Sequence, residues 1–262
     1  MNPCELGPVD HIADLVKRHD SDRFLACLLA PSEHRDALLL LSAFHHEIAR
    51  AREVVSQPML ALIRLQWWRE TVLGARRHHH VAGPLGEAIA QSVFDQDELL
   101  AMIEAREIEA DEGVETLADW HRYLAGSAGG WAVAAGRVLG AKQAELELFR
   151  MLGAGYGVAA QLANVAVWAR HDRCMLPLDV LDAHGLSREQ VMRDPSCVQR
   201  VRPILAQEGL TLIHAAKGPI RRSVIAAALP SVLARRDLKR GFRFRGAADK
   251  FSVIASVLRG RV

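Results

Sequence analysis

Residues 151–169 constrain this chain more than any other stretch. They run Met-Leu-Gly-Ala-Gly-Tyr-Gly-Val-Ala-Ala-Gln-Leu-Ala-Asn-Val-Ala-Val-Trp-Ala, 19 residues without a charge. That is the length of a membrane span. Ala and Gly dominate, however, and Gln161 and Asn164 lie inside, so the stretch is only weakly apolar. A helix with no polar face has to be covered by protein on all sides, and this one reads as the buried central helix of a bundle. Gly153-x-Gly155-x-Gly157 would suit a dinucleotide loop only after a strand, and no strand-like run precedes it.

The surrounding helices show as 3.6-residue periodicity. Ala37, Leu41, Phe44, Ile48, Ala51 and Val55 recur in steps of four and three, which places them on one helical stripe. His46, Ala49, Arg50 and Glu53 form a second line beside it. Ser32 is the expected N-cap of this helix. Ser56, Gln57 and Pro58 end it, and Arg64-Leu-Gln-Trp-Trp-Arg69 starts the next. A short amphipathic helix is expected over residues 9–17, with Val9, Ile12, Leu15 and Val16 apolar. Further helical segments cover 87–111 in two pieces, then 115–140, 204–216, 219–238 and 250–261, and residues 74–86 read as a loop. Strand-like alternation is hard to find. The periodicity leads to the expectation of an all-α protein, as one large domain or two small ones, in which 235–262 form a basic C-terminal segment. A chain of 262 residues is long enough to bury such a core.

Charge and cysteine usage narrow the function. The formal net charge of +2 gives no support for a nucleic-acid partner, and none is expected. Cys4, Cys27, Cys174 and Cys197 are scattered, with no Cys-x-x-Cys pair, which fits a reducing cytoplasm rather than a zinc or disulfide framework. The first twenty residues have no apolar signal core and too many acids for a transit peptide. His78, His79 and His80 invite a metal reading, but adjacent loop residues do not converge easily on one ion and no carboxylate or Cys stands nearby, so an exposed loop is preferred. Glu107 and Asp111 stand i, i+4 and could chelate; the acidic run from Glu104 to Glu112 reads better as a solvated face. A di-iron bundle needs Glu-x-x-His pairs, and none of the 12 His has a Glu three residues before it. The tail, Arg235-Arg-Asp-Leu-Lys-Arg-Gly-Phe-Arg-Phe-Arg245, precedes a segment with Phe251, Ile254, Val257 and Leu258 on one face. It reads either as a contact with an anionic membrane surface or as a terminal helix packed on the core. Cytoplasmic location, with peripheral contact at the inner face of the membrane, is the corresponding expectation.

Several of these segments together resemble the squalene/phytoene synthase family. Asp22-Arg23-Phe24 sits where that family has a Ser/Arg-Phe segment. Phe44 to Glu53 aligns with its Phe-Cys-Arg segment and Asp-Asp-x-x-Asp cluster. Asp111 stands near the end of a similar acidic region. Tyr123-Leu-Ala-Gly126-Ser-Ala-Gly-Gly130 is similar to its Tyr-x-x-x-Ala-Gly-x-x-Gly helix, where the Tyr lines the cavity; helix–helix packing through small residues is the plainer reading. Gly157-Val-Ala-Ala-Gln161-Leu-Ala-Asn164-Val parallels its Gly-x-Ala-x-Gln-Leu-x-Asn-Ile, and Leu176-Pro177 and Gly185-Leu186-Ser187 follow. The resemblance runs from about Asp22 to Leu238. It is strongest to a subset that includes a mitochondrial complex I assembly factor and bacterial relatives, through Ala43-Phe44-His45-His46-Glu47-Ile48-Ala49 and Arg64-Leu-Gln-Trp-Trp68.

The resemblance implies one helical-bundle domain over residues 1–262 with a central cavity, lined by His46, Ala49, Arg50, Glu53, Tyr123, Gln161, Asn164, Trp168 and Asp172. In the family, two acidic clusters hold Mg²⁺ against the diphosphates of two prenyl substrates condensed head to head, because a hard cation takes carboxylate and phosphate oxygens. Here the three acids of the first cluster become Ala49, Arg50 and Glu53, and the second pair becomes Trp168 and Asp172, which by their spacing fall on one helical face with Gln161 and Asn164. Only Glu53 and Asp172 remain to hold a weak ion. A guanidinium at position 50 repels a cation and suits an anion. The implied function is therefore a non-catalytic member of the fold, either an assembly factor for a membrane respiratory complex or a protein that binds an isoprenoid or other lipid. The alternative is an active prenyltransferase with a diminished Mg²⁺ site.

Overall fold

The computed structural model describes residues 8–55, 57–110, 113–216, 218–242, 246–260 and 262, and no strand occurs among them. In chain order the helices are α1 (Pro8–His19), α2 (Ser21–Leu28), α3 (Arg35–Glu53), α4 (Pro58–Val72), α5 (Ala82–Ala90), α6 (Gln96–Glu104), α7 (Leu117–Gly126), α8 (Ala128–Val138), α9 (Leu146–Ala163), α10 (Val165–Ala169), α11 (Leu178–Asp182), α12 (Arg188–Arg193), α13 (Arg202–Ala215), α14 (Leu229–Arg240) and α15 (Ala247–Arg259). Short 3₁₀ turns join several of them. The all-α architecture expected from the periodicity is the one the chain adopts. No described helix is long and apolar enough to cross a membrane.

The uncharged stretch does form the centre. Helix α9 packs against α7, α8, α13 and α14, while α3 packs against α1, α4 and α8. One hydrophobic cluster runs through these contacts, from Ile12 to Val253. The glycines of α9 explain how the neighbours come so close. A Cβ at Gly153 would stand 2.6 Å from the Ala128 carbonyl oxygen and 2.8 Å from the Gly129 Cα, so α8 and α9 touch backbone to backbone there. A Cβ at Gly155 would stand 2.5 Å from the Ile213 side chain on α13. The Gly-x-Gly-x-Gly pattern therefore serves helix packing on two sides of one helix.

Several local expectations are corrected. Helix α9 stops at Ala163, and Asn164 separates it from the single turn α10, so the stretch is not one helix to residue 169. Pro58 opens α4 rather than only ending α3, since its missing N–H and fixed φ suit a first turn. The loop over 74–86 is shorter than expected, because α5 already begins at Ala82. Ser32 starts a 3₁₀ turn and donates to Glu33 instead of capping α3. Residues 219–224 are not helical, and α14 follows a 3₁₀ turn at Ile225–Ala228. The acidic run is a solvated face only in part: Glu104 is exposed, but Glu109 is buried and Glu107 pairs with Arg69 at 2.7 Å. Asp111, whose role the resemblance raised, lies outside the described residues, as do Cys4 and the segment from Arg243 to Arg245.

Candidate functional site

Where α2, α3, α7, α9 and α10 converge there is a cavity of about 650 Å³. Small side chains shape its wall: Ala49 from α3, Ala128 from α8, and Gly157, Ala159, Ala160 and Ala163 from α9. Leu124, Trp168 and Phe242 add larger apolar surface. Of the residues that the sequence pointed to, Ala49, Glu53, Tyr123, Gln161, Asn164 and Trp168 line this cavity. The other three stand apart from its lining. His46 stacks on His19 at 4.4 Å between ring centres, and Arg50 turns back to Glu47, 3.6 Å away. Asp172 lies in a neighbouring hollow with Arg52, Arg173 and Glu115.

The floor of the cavity is a buried polar network that periodicity did not reveal. Arg106 Nη1 donates to Glu109 Oε1 at 2.5 Å and to the Tyr123 hydroxyl at 3.2 Å. Tyr123 in turn donates to the same carboxylate oxygen at 2.6 Å and accepts from Gln161 Nε2 at 3.2 Å. From the segment after α10, Arg173 donates to the Glu109 backbone carbonyl at 3.1 Å and lies 3.7 Å from its carboxylate. On the other side Arg106 Nη2 is 3.0 Å from His45 Nε2, and Arg23 Nη1 is 2.9 Å from His45 Nδ1. Arg23 is held by Asp20, the N-cap of α2, at 3.0 Å, and its guanidinium lies over the Trp131 ring at 4.6 Å. Arg23, His45, Arg106, Glu109, Gln161 and Arg173 are all buried.

Burial and neighbouring charge set the protonation states. His45 is held well below its ordinary value, first by burial and then by the two guanidinium groups beside it. It is therefore neutral, and a neutral imidazole offers one lone pair; only one of its two arginine contacts is a hydrogen bond. His46 is pushed down to about 4 by burial, by His19 and by Arg50. Burial works against the Arg106 charge, but the Glu109 carboxylate and Tyr123 outweigh it and hold that charge in place. Burial, then the nearby Glu109, raises the Glu53 carboxyl. Arg23 Nε, Arg106 Nε, Gln161 Oε1 and Trp168 Nε1 are buried without a hydrogen-bond partner.

These donors do not suit Mg²⁺. A site for that ion needs convergent carboxylate oxygens. Glu53 reaches the cavity but Asp172 does not, and the Glu109 carboxylate is already engaged by Arg106, Tyr123 and Arg173. Among the described residues no group of three or more His, Cys, Asp or Glu is placed to hold a metal ion.

The reason Asp172 misses the cavity is backbone geometry. Gln161, Asn164, Trp168 and Asp172 share a face only if one helix runs through all four. The helix ends at Asn164, α10 lasts one turn, and Asp172 takes a left-handed φ of 52°. Arg173 then enters the space next to Trp168, its guanidinium 4.7 Å from the indole ring centre.

A family model described as squalene/phytoene synthase matches residues 16–241. The chain belongs to the squalene/phytoene synthase family. Two solved structures share its fold. A dehydrosqualene synthase in complex with ligand superposes with a TM-score of 0.69 at 14% identity, over 96% of this chain and 95% of that one. The squalene synthase HpnC from Alicyclobacillus acidocaldarius gives a TM-score of 0.66 at 18% identity, over 99% and 97%. Among curated proteins, the mouse "NADH dehydrogenase (ubiquinone) complex I, assembly factor 6" is 27% identical over 229 residues, 84% of this chain and 68% of that protein. The human protein of the same name is 24% identical over 240 residues, 88% and 72%.

Within this family frame, the residues that sequence reasoning missed are Arg23, His45, Arg106, Glu109 and Arg173. Three had a visible signal. Arg106 and Glu109 stand i, i+3, the spacing of a helical ion pair, and His45 adjoins His46. Arg23 was visible only as part of the Asp22-Arg23-Phe24 segment, with nothing to aim it at His45, and Arg173 could be placed only by the fold.

Proposed function

We propose that this protein is a non-catalytic member of the squalene/phytoene synthase family that assists the assembly of a membrane-bound respiratory complex. One observation carries the reading. Where the family resemblance expects carboxylates, the cavity presents Ala49 and Trp168, and its floor is a buried arginine–carboxylate network. Catalysis in this family depends on metal-bridged diphosphate departure, and a site without convergent acids lacks the charge to stabilise it. Similarity to proteins named as complex I assembly factors supports the assembly role. We place the protein in the cytoplasm, working peripherally at the inner face of the membrane. The cavity itself is proposed as a binding site for an isoprenoid or another lipid, because apolar surface outweighs polar surface in its lining and its floor supplies fixed hydrogen-bond groups.

The experiment has two arms. Purified protein incubated with farnesyl diphosphate, Mg²⁺ and NADPH is expected to release no diphosphate and form no thirty-carbon product; turnover of about one per second or more, lost in Glu53→Ala, is ordinary enzyme behaviour and overturns the non-catalytic reading. Deletion of the gene in its own organism is expected to lower the amount of assembled NADH dehydrogenase in native gels. Unchanged amounts overturn the assembly role.

A further inference from the structure

The C-terminal helix packs on the body of the protein and still leaves an apolar face uncovered. Val253 is 1% exposed, and Ser256 and Asp249 are also buried, so this side of α15 is the inner one. On the outer side Phe251 is 71% exposed, Leu258 64% and Ile254 41%. Their spacing of i, i+3 and i+7 makes one stripe along the helix. Lys250 and Arg259, both exposed, flank that stripe, roughly 100° to one side of Phe251 and 80° to the other at 100° per residue.

The charges around the stripe have one sign. Asp249 is the acid of α15, and it turns inward to pair with Arg236 and to accept from the Gly246 N–H at 2.7 Å. Exposed Arg222 reaches the end of the stripe, donating to the Leu258 carbonyl at 2.6 Å. Lys239 and Arg240 are exposed in the last turn of α14, the helix on which α15 packs. A stripe of Phe, Ile and Leu bordered by Lys and Arg matches what an interfacial helix presents to lipid. The apolar side chains enter the acyl boundary while the long cationic side chains reach the phosphates. The one acidic side chain that would oppose this is withdrawn into the protein.

We propose that the outer face of α15, through Phe251, Ile254 and Leu258 with Lys250 and Arg259, is the surface by which this protein docks on an anionic phospholipid bilayer. The inference rests on the proposed work at a membrane surface, and it moves the contact from the basic run at 235–245 to the helix after it. Arg235 and Arg236 are only partly exposed, and Arg236 is engaged by Asp249.

The test is co-sedimentation of the full chain with phosphatidylglycerol-containing vesicles. Wild type is expected to bind, to be released by salt, and to bind neutral phosphatidylcholine vesicles more weakly. Phe251→Ser/Leu258→Ser is expected to reduce binding about tenfold or more with an unchanged circular dichroism spectrum. Ile63→Ser, at an exposed apolar position on α4, is expected to bind within about twofold of wild type. Binding by the double variant within twofold of wild type, or an equal loss in Ile63→Ser, removes the contact from α15 and leaves the membrane reading standing. Equal binding to neutral vesicles overturns the role of the cations. No binding by wild type overturns both the face and the membrane reading.

Discussion

Helix α3 and the α9–α10 pair line the same cavity, and family resemblance places acidic positions on both. They have departed from that pattern by different physical routes. On α3 the backbone is one unbroken helix to Glu53, and Ala49 and Glu53 still face the cavity. Only the side chains differ. On the other side the backbone is interrupted: the helix stops at Ala163, resumes for one turn, and leaves Asp172 left-handed in another hollow. A substitution can restore the first face. No single substitution restores the second, because the helical register that would align residue 172 with 161 and 164 is gone.

Glu109 joins the two sides, since it binds Arg106 and Tyr123 and also meets Arg173 from the segment after α10. The largest effect is therefore expected there. Glu109→Ala leaves two buried arginines without their carboxylate and should cost about 3–5 kcal/mol of stability, read from the denaturant midpoint. A cost below about 1 kcal/mol would mean that the two sides are not held together through this residue.

Acidity is expected to act mainly through the α3 side. His45 is buried and neutral when folded, whereas in the unfolded chain it takes up a proton near pH 6.5. Its folded value lies below its unfolded one, so its contribution is present above about pH 6.5 and is lost as the pH falls. The slope is at most about 1.4 kcal/mol per pH unit. His46, held near 4, acts in the same direction between the two values, less strongly because it is partly exposed. Glu53 has the opposite sign, since its raised carboxyl favours the folded state at low pH. Urea midpoints measured from pH 7.5 down to 5 should fall, and the fall should flatten in His45→Asn. A flat wild-type profile would remove His45 from this account.

At the broken side, Asp172→Gly should be neutral or stabilising by about 1 kcal/mol, because a residue with a Cβ is held at positive φ there. Loss of stability in thermal unfolding would show that the Asp172 side chain matters more than its backbone. The smallest effect on stability, within about 1 kcal/mol, is expected for Ala49→Asp/Arg50→Asp on the intact helix. That variant should gain weak Mn²⁺ binding, seen as paramagnetic broadening, while Trp168→Asp should gain none. Equal Mn²⁺ binding in both variants would erase the distinction between a changed surface and a changed backbone.

The helices were legible because burial imposes a 3.6-residue pattern on apolar side chains, as at Leu41, Phe44 and Ile48, all fully buried. Part of the cavity wall was legible too, because the family resemblance pointed to Ala49, Glu53, Tyr123, Gln161, Asn164 and Trp168 among its lining residues. The network beneath it was not. Arg106 and Glu109 belong to a run whose composition is that of a solvated surface, and nothing local distinguishes a charged pair facing water from one facing Tyr123. Gln161 through Asp172 misled for a related reason. A periodic pattern assumes that the helix continues, and the break at Asn164 has neither Gly nor Pro to announce it.

By itself, then, the sequence determined that the chain is helical and which stretch lies at the centre; set beside the family pattern, it also showed which acids are missing. Those properties are written residue by residue, in hydropathy, backbone preference and charge. Only the tertiary structure decided that Glu53 and Asp172 face different hollows, that Glu109 is shared by arginines from distant segments, and that α15 turns Asp249 inward and Phe251 outward. Each of these depends on where a side chain points relative to segments far away in the chain, and no local pattern encodes a direction in space.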